Sequence, residues 1–177
     1  MHFFTQFFWF SFGFTFLLYS NFLKLLEVEN KKYCLKDSII LHGGGWKKLV
    51  DISVSNEDLK KISTERLGVT NCRNYYGMIE QTGTLFMECE YGNLHPTDRC
   101  DFLIRDMNTF EPCEESEQGL IQVLSDIQTS YPGYSLLTED VGFFKPYKEC
   151  KCGSKKNILK ITSRLKMAEV RGCSDAN

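Results

Sequence analysis

From residue 3 to residue 26 the chain is almost continuously apolar, with Lys24 as its one charge. A buried strand over residues 3–12 followed by a helix over 14–29 accounts for this run. Phe14, Leu17, Leu18, Phe22 and Leu25 fall on one face at helical spacing, as a helix packed into a core requires. An apolar run of this length also fits a membrane span or a signal peptide. Thr5, Gln6, Ser11, Gly13, Thr15, Ser20 and Asn21 interrupt it, no Lys or Arg precedes it, and no small-residue cleavage site follows it. The pattern therefore favours a core segment, with a membrane anchor as the other reading. Residues 27–32 are charged and belong at the surface. Ile39-Ile40-Leu41 is a short strand that runs straight into glycines. Ser55 has the character of an N-cap, with Glu57 and Asp58 in the first turn behind it. Leu59, Ile62 and Leu67 form the apolar stripe and Gly68 the stop. Residues 69–75 read as the next strand. Strand, helix, strand in that order predicts a parallel α/β sheet.

After Thr82 the texture changes. Residues 84–88, 102–104, 120–124 and 158–161 are short strand candidates separated by turn-rich stretches. They predict a small antiparallel β subdomain appended to the α/β layer. The expected organisation is an α/β part over 1–83, a β-rich subdomain over 84–162 and a short tail over 163–177.

Length and charge narrow the classes. At 177 residues the chain has room for one domain with a core, or for part of a larger one. A net charge of −2 with no basic patch points away from nucleic acid. Charged residues, 25% of the chain, are interspersed and exclude long disorder. Eight cysteines at irregular spacings, in a chain that is not small, fit a reducing, cytoplasmic setting better than a disulfide framework.

Four motifs carry candidate chemistry. In His42-Gly43-Gly44-Gly45-Trp46, three glycines at the end of a strand let the backbone approach a flat ligand. It is not a phosphate-binding Walker loop, which needs Gly-x-x-x-x-Gly-Lys followed by Ser or Thr. In Tyr76-Gly77-Met78-Ile79-Glu80-Gln81-Thr82, a ring and a carboxylate follow a strand, and one carboxylate is enough for Mg²⁺ beside phosphates. Thr138-Glu139-Asp140 offers an anionic acceptor for hydroxyl groups. Arg164 opens a basic segment that ends Arg171-Gly172-Cys173-Ser174. Taken singly these are a surface turn, an exposed acid, a turn cap, a solvated strand and an idle cysteine.

In this order the motifs resemble the adenylate-forming ligases, which activate a carboxylic acid with ATP as an acyl-adenylate. Arg171-Gly172-Cys173-Ser174 narrows the likeness to the acyl-protein synthetases, the long-chain fatty acid–protein ligases of the bacterial bioluminescence system. The likeness runs from about residue 12 to residue 175. It implies the fold class α/β: part of the large adenylate-forming domain, a parallel sheet with helices, plus a small antiparallel β subdomain. It implies ATP and Mg²⁺ as cofactors. Gly43, Gly44 and Gly45 would lie against the adenine or the acyl group. Tyr76 and Gly77 would meet the nucleotide, Glu80 the magnesium, and Gln81 and Thr82 the nucleotide or acyl group. Asp140 would hold the ribose, with Glu139 in place of the superfamily's usual glycine. Arg164 would reach the ribose or phosphate, with Lys166 and Arg171 adding positive charge nearby. Cys173 would receive the acyl group as a thioester, since a thiolate is the natural acceptor for a mixed anhydride. The implied partners are a long-chain fatty acid and the reductase and acyl-transferase subunits of a fatty acid reductase complex. An acyl- or aryl-CoA ligase like the phenylacetate–CoA ligases is the alternative, and it needs no protein thiol. The superfamily's Ser/Thr/Gly-rich phosphate loop is not found in residues 1–41, and no small C-terminal domain with a catalytic lysine follows. The chain thus resembles the second half of such a ligase, with an incomplete active site.

Cys89, His95, Cys150 and Cys152 form a separate constellation. Two ligands from each of two segments suit a closed structural zinc site, and the paired segments resemble those of phenylacetate–CoA-ligase-like relatives, some of which bind zinc there. Free thiols are the alternative, because neither spacing is that of a standard finger. A catalytically inactive, zinc-clipped interaction module is the corresponding reading from outside the enzymes.

Overall fold

Local signals build the first part of the fold. The computed structural model describes residues 8–46 and 53–165. The chain divides into two units, residues 1–75 and 76–177. In the first, β1 (Phe10–Phe14), β2 (Ile39–Gly43) and β3 (Asn71–Tyr76) pair in parallel, with Phe12 beside Leu41 and Leu41 beside Arg73. After β1 the chain turns into α1 (Thr15–Leu18), a π-helical segment Tyr19–Leu23 and α2 (Lys24–Val28). Between β2 and β3 lies α3 (Asn56–Leu67). Its N-cap is Ser55, whose Oγ accepts from the Asp58 N–H at 3.0 Å, and Gly68 ends it at φ 70°. Both are the residue types that satisfy helix ends at lowest cost. Leu23, Leu26, Ile40, Leu59, Leu67 and Val69 form the core of this unit, with Trp9 and Phe22 packed against it.

The N-terminal segment departs from its pattern in two ways. The strand spans 10–14, and Phe10 and Phe12 on it are 53% and 61% exposed where a buried strand was expected; residues 3–7 lie outside the described residues. The helical stripe is also rotated by one residue. Leu17 and Leu25 are exposed, while Thr15, Leu23 and Leu26 are buried, with Leu18, Tyr19 and Phe22 packed beside them. The cause is a polar anchor that a count of apolar residues overlooks. The Thr15 hydroxyl donates to the Gly43 carbonyl at 3.1 Å and lies 2.9 Å from His42 Nδ1, which fixes Thr15 inward. Among the described residues no helix is long and apolar enough to cross a membrane.

The second unit is antiparallel. Its strands are β4 (Phe86–Glu88), β5 (Leu94–Pro96), β6 (Cys100–Arg105), β7 (Gly119–Ser125), β8 (Ser135–Lys145) and β9 (Ile158–Arg164). They lie in the order β4-β5-β9-β8-β7-β6. Phe86, Phe102, Ile104, Ile121, Val123 and Leu159 make its core, and Phe86 meets the Tyr76 and Phe102 rings edge-on at 5.6 and 5.7 Å. A parallel α/β layer and an antiparallel β part are thus both present, as the sequence pattern implies. Thr138-Glu139-Asp140, by contrast, is not a turn. It sits inside β8, at eleven residues the longest strand described. Its acids and Gly142 hide the strand from a hydropathy reading, and pairing on both sides with β7 and β9 holds it extended. Gly142 is required there, because a Cβ would stand 2.3 Å from the Lys160 carbonyl oxygen.

Candidate functional site

In the first unit the glycine motif lies where β2 ends. A Cβ on Gly43 would meet the Tyr75 ring at 2.7 Å, so only glycine lets the two strands run this close. Gly44 takes φ 77°, the left-handed conformation glycine adopts freely. Gly45 has open space around its Cβ position. Thr15, which no motif singled out, secures this turn through the Gly43 carbonyl and His42. Trp46 packs edge-on against Tyr19 at 5.5 Å.

In the second unit three of the predicted residues come together. The Tyr76 hydroxyl donates to Asp140 Oδ2 at 2.8 Å across 64 residues of sequence. Asp140 and Arg164 are opposite one another in the β8–β9 ladder. Arg164 Nε lies 3.9 Å from Asp140 Oδ1, and its Nη2 meets Glu139 Oε2 at 2.7 Å. Burial pushes the Tyr76 phenol far above its usual range, with the Asp140 charge adding to the shift. Tyr76 therefore stays a donor at any working pH. One Asp140 oxygen is committed to Tyr76, while the other keeps lone pairs for further donors. Thr138 orders the strand here: its Oγ accepts from the Asp140 N–H at 3.1 Å and donates to the Ile121 carbonyl at 2.8 Å. The sequence reading missed the Glu139 tie to Arg164, since only the ladder register brings the two together.

The remaining residues of the second motif lie on and around a 3-10 turn, Ile79–Gln81. Gly77 and Glu80 are exposed. Gln81 is fully buried, and its Nε2 donates to the Gly133 carbonyl at 2.7 Å. Its Oε1 is a buried acceptor with no hydrogen-bond partner among the described residues. Thr82 Oγ closes the turn on the Ile79 carbonyl at 2.8 Å. Lys166, Arg171 and Cys173 lie outside the described residues.

The cysteine constellation is assembled. The ligand atoms of Cys89, His95, Cys150 and Cys152 all lie within 4.8 Å of one another. Cys89 and Cys150 sulfurs are 3.6 Å apart, Cys150 and Cys152 sulfurs 3.4 Å, and Cys152 Sγ is 3.4 Å from His95 Nε2. Zinc at about 2.3 Å from each sulfur of a tetrahedron sets the sulfurs about 3.8 Å apart, so the donor set fits that ion. His95 Nδ1 lies 2.8 Å from the Lys156 carbonyl. That contact places the ring proton on Nδ1 and turns a lone pair on Nε2 toward the sulfurs, the usual outer support of a metal-binding histidine. Asn93 Nδ2 donates to Cys150 Sγ at 3.2 Å, and the Ser154 N–H to Cys152 Sγ at 3.4 Å. Burial opposes ionisation of Cys150, yet the Cys152 N–H and the Asn93, His95 and Cys152 side chains outweigh it and bring the thiol to about 6. Burial and the neighbouring Cys150 and Cys89 push Cys152 up to about 11. Without a cation one thiolate thus suppresses the next, and a divalent ion relieves that repulsion.

Comparison with known proteins identifies the family and the fold. The family model described as acyl-protein synthetase, LuxE, matches residues 8–177. The chain is 25% identical over 142 residues to the long-chain-fatty-acid–luciferin-component ligase of Vibrio harveyi, over 78% of this chain and 36% of that protein. It therefore spans about a third of the length of that curated relative. Among solved structures, a long-chain-fatty-acid-CoA ligase from Archaeoglobus fulgidus superposes with TM-score 0.59 at 17% identity, covering 88% of this chain and 34% of that one. The luciferase-like enzyme of the mealworm Zophobas morio gives 0.60 at 17%, covering 90% and 38%. A 2-hydroxyisobutyryl-CoA ligase gives 0.63 at 16%, covering 87% and 36%. At these identities the structural likeness establishes the fold alone.

Proposed function

The chain belongs to the acyl-protein synthetase family, and on that premise we propose that it serves the ATP-dependent activation of a long-chain fatty acid and its transfer to Cys173. The observation that carries this reading is the joining of Tyr76, Asp140 and Arg164, three residues from distant motifs, around one carboxylate. Asp140 Oδ1 is suited to accept the ribose hydroxyls, with Tyr76 fixing the carboxylate's orientation. Arg164 offers the planar cation that phosphate recognition favours. Glu80 supplies an exposed carboxylate for Mg²⁺, which would neutralise phosphate charge. The glycines of the first unit provide backbone that a flat group can approach closely.

The reaction proposed has two steps. A fatty acid carboxylate oxygen bonds to the α-phosphorus of ATP and pyrophosphate leaves. The Cys173 thiolate then attacks the acyl carbonyl carbon, the bond to AMP breaks, and a thioester forms. A reductase would take the thioester on to an aldehyde, and an acyl-transferase subunit would supply the acid. The long-chain-fatty-acid–luciferin-component ligase of Vibrio harveyi supports the substrate class by its name. Cys89, His95, Cys150 and Cys152 would hold a structural zinc ion, which ties the β4–β5 turn to the segment before β9 and takes no part in the chemistry.

The test is incubation of the chain with ATP, Mg²⁺ and radiolabelled tetradecanoic acid, beside Cys173→Ser. Hydroxylamine-labile label on the wild type alone is the expected result. Label that persists on Cys173→Ser removes the acceptor role. With coenzyme A added to a parallel incubation, acyl-CoA formation without protein label would point to a CoA-ligase activity instead.

A further inference from the structure

The cysteine cluster holds one pair of sulfurs that spans the second unit and one that does not. Cys150 and Cys152 share a turn, and their sulfurs are 3.4 Å apart. Cys89 and Cys150 are 61 residues apart in sequence, yet their sulfurs are 3.6 Å apart. That is about 1.6 Å beyond the bonded distance of a disulfide. Bonding the short pair would close a strained ring and join nothing new. Cys152 is also engaged elsewhere: its sulfur lies 3.4 Å from His95 Nε2 and accepts from the Ser154 N–H at 3.4 Å. Bonding the long pair ties the β4–β5 turn to the segment before β9, the two places that a zinc ion would join. Cys89 is partly exposed and Cys150 is buried, so a reagent from solvent meets Cys89 first.

A relay outside the ligand set is aimed at the buried sulfur. Lys160 Nζ donates to Asn93 Oδ1 at 2.8 Å, and Asn93 Nδ2 donates to Cys150 Sγ at 3.2 Å. The ammonium polarises the amide, and the amide steadies negative charge on that sulfur. The Asn93 carbonyl also accepts from the Cys89 N–H at 2.9 Å, so one residue touches both halves of the pair.

We propose that Cys89 and Cys150 are a reversible modification site, at which a peroxide forms a disulfide and expels zinc, and a dithiol undoes both. The zinc half rests on the metal site proposed above, and the disulfide half on the sulfur geometry alone. Peroxide transfers one oxygen to the Cys89 sulfur, giving a sulfenic acid and hydroxide. The Cys150 thiolate attacks that sulfur, the S–O bond breaks, and a second hydroxide leaves. Both hydroxides take protons from solvent, so one peroxide becomes two waters as two thiolates become one disulfide. Only Cys152 and His95 then remain for zinc, too few for a closed site. In the reverse direction a dithiol attacks the exposed Cys89 sulfur, and Cys150 leaves as a thiolate held by Asn93. The second thiol of the reductant then frees Cys89 and leaves as a cyclic disulfide.

The test treats the zinc-loaded full chain with hydrogen peroxide. A chromogenic chelator reads released zinc, and peptide mapping without reduction reads disulfides. A Cys89–Cys150 cross-link is expected, with about one zinc released per cross-link. Hydrogen exchange at residues 86–96 and 146–160 should stay slow after peroxide, because a covalent tie replaces the metal. Stripping the metal with chelator alone should speed it. Cys152→Ser should still form the cross-link. Asn93→Ala should form it too, but dithiothreitol should reduce it about tenfold more slowly, as losing a hydrogen bond to a departing charge implies. Lys160→Met should slow reduction in the same direction and by less. The proposal is overturned if peroxide yields a Cys150–Cys152 bond or a sulfinic acid instead. It is equally overturned if exchange quickens after peroxide as much as it does with chelator. Equal reduction rates in wild type and both variants would remove the relay. A chain that holds no zinc yet forms the Cys89–Cys150 bond upholds the modification site and counts against the zinc reading.

Discussion

Burial lifts the Tyr76 phenol well above its ordinary value of 10.0, and the Asp140 carboxylate it bonds reinforces the shift. The folded state then holds that proton more tightly than the unfolded chain does. Its contribution to stability is complete below about pH 10 and is lost as the pH rises further. The part of the urea unfolding midpoint owed to Tyr76, read as the difference between wild type and Tyr76→Phe, should be flat from pH 7 to 9 and fall above 10. Tyr76→Phe should remove that fall and lower stability by about 1.5–3 kcal/mol at neutral pH, the worth of a hydrogen bond to a charged group. A wild-type and mutant pair with parallel profiles above pH 10 would show that Tyr76 ionises normally. Glu139 acts differently. Its ion pair with Arg164 is about half exposed on both sides and so is worth about 0–1 kcal/mol. Such a tie can be broken to let the guanidinium turn toward a polyphosphate. Glu139→Gln should therefore tighten ATP binding by about two- to fivefold in equilibrium dialysis, in line with an exposed pair. Weaker binding would mean that Glu139 positions Arg164 rather than competing for it. Tyr76, Asp140 and Arg164 were legible because each sits in a recognisable motif. Glu139's tie was not, since the β8–β9 register that creates it joins residues 25 apart in sequence.

The elements differ in how far they can be read locally. Everything that defines α3 lies within its own span and caps: Ser55, the acids behind it, a stripe at helical spacing and Gly68. Replacing Ser55 by Ala should cost about 1 kcal/mol, the typical value of an N-cap, measurable by thermal melting. An unchanged melt would show that this end is solvated as well as it is capped. β8 is the opposite case. Its acids and Gly142 argue against a strand, and only its two neighbours make it one. Gly142→Ala should destabilise by about 1–3 kcal/mol as the new methyl group forces β8 and β9 apart. The shift would fall between Asp140 and Lys160, so ATP binding should weaken with it. A destabilised variant that still binds ATP normally would separate the ladder from the site. The N-terminal helix was misphased for a related reason. Thr15 is polar and buried, and hydropathy counting gives no weight to an anchor whose partners, His42 and Gly43, come 27 and 28 residues later.

At the scale of the molecule, each unit has its own apolar core, one around Leu23 and Ile40 and the other around Phe86 and Ile121. The four metal-type ligands belong wholly to the second unit. They join a turn at residues 89–95 to one at 150–152, and they lie in a small sheet whose short β4 and β5 have three residues each. So small a pairing gains most from a cross-link, and an ion bound only by the folded state adds about 4 kcal/mol at a thousandfold excess over its dissociation constant. The chain purified without chelator should contain about one zinc per molecule, the stoichiometry of a closed four-ligand site. Removing the ion with a strong chelator should speed hydrogen exchange at residues 86–96 and 146–160. It should leave β2 and α3 unchanged, because their protection derives from the other core. Cys152→Ser should show the faster exchange from the outset and no response to chelator, while Cys34→Ser, exposed and not one of the four ligands, should behave as wild type. If the chain carries no zinc, and added zinc alters neither exchange nor melting, the three cysteines are free thiols beside His95, with Cys150 the most readily ionised of them.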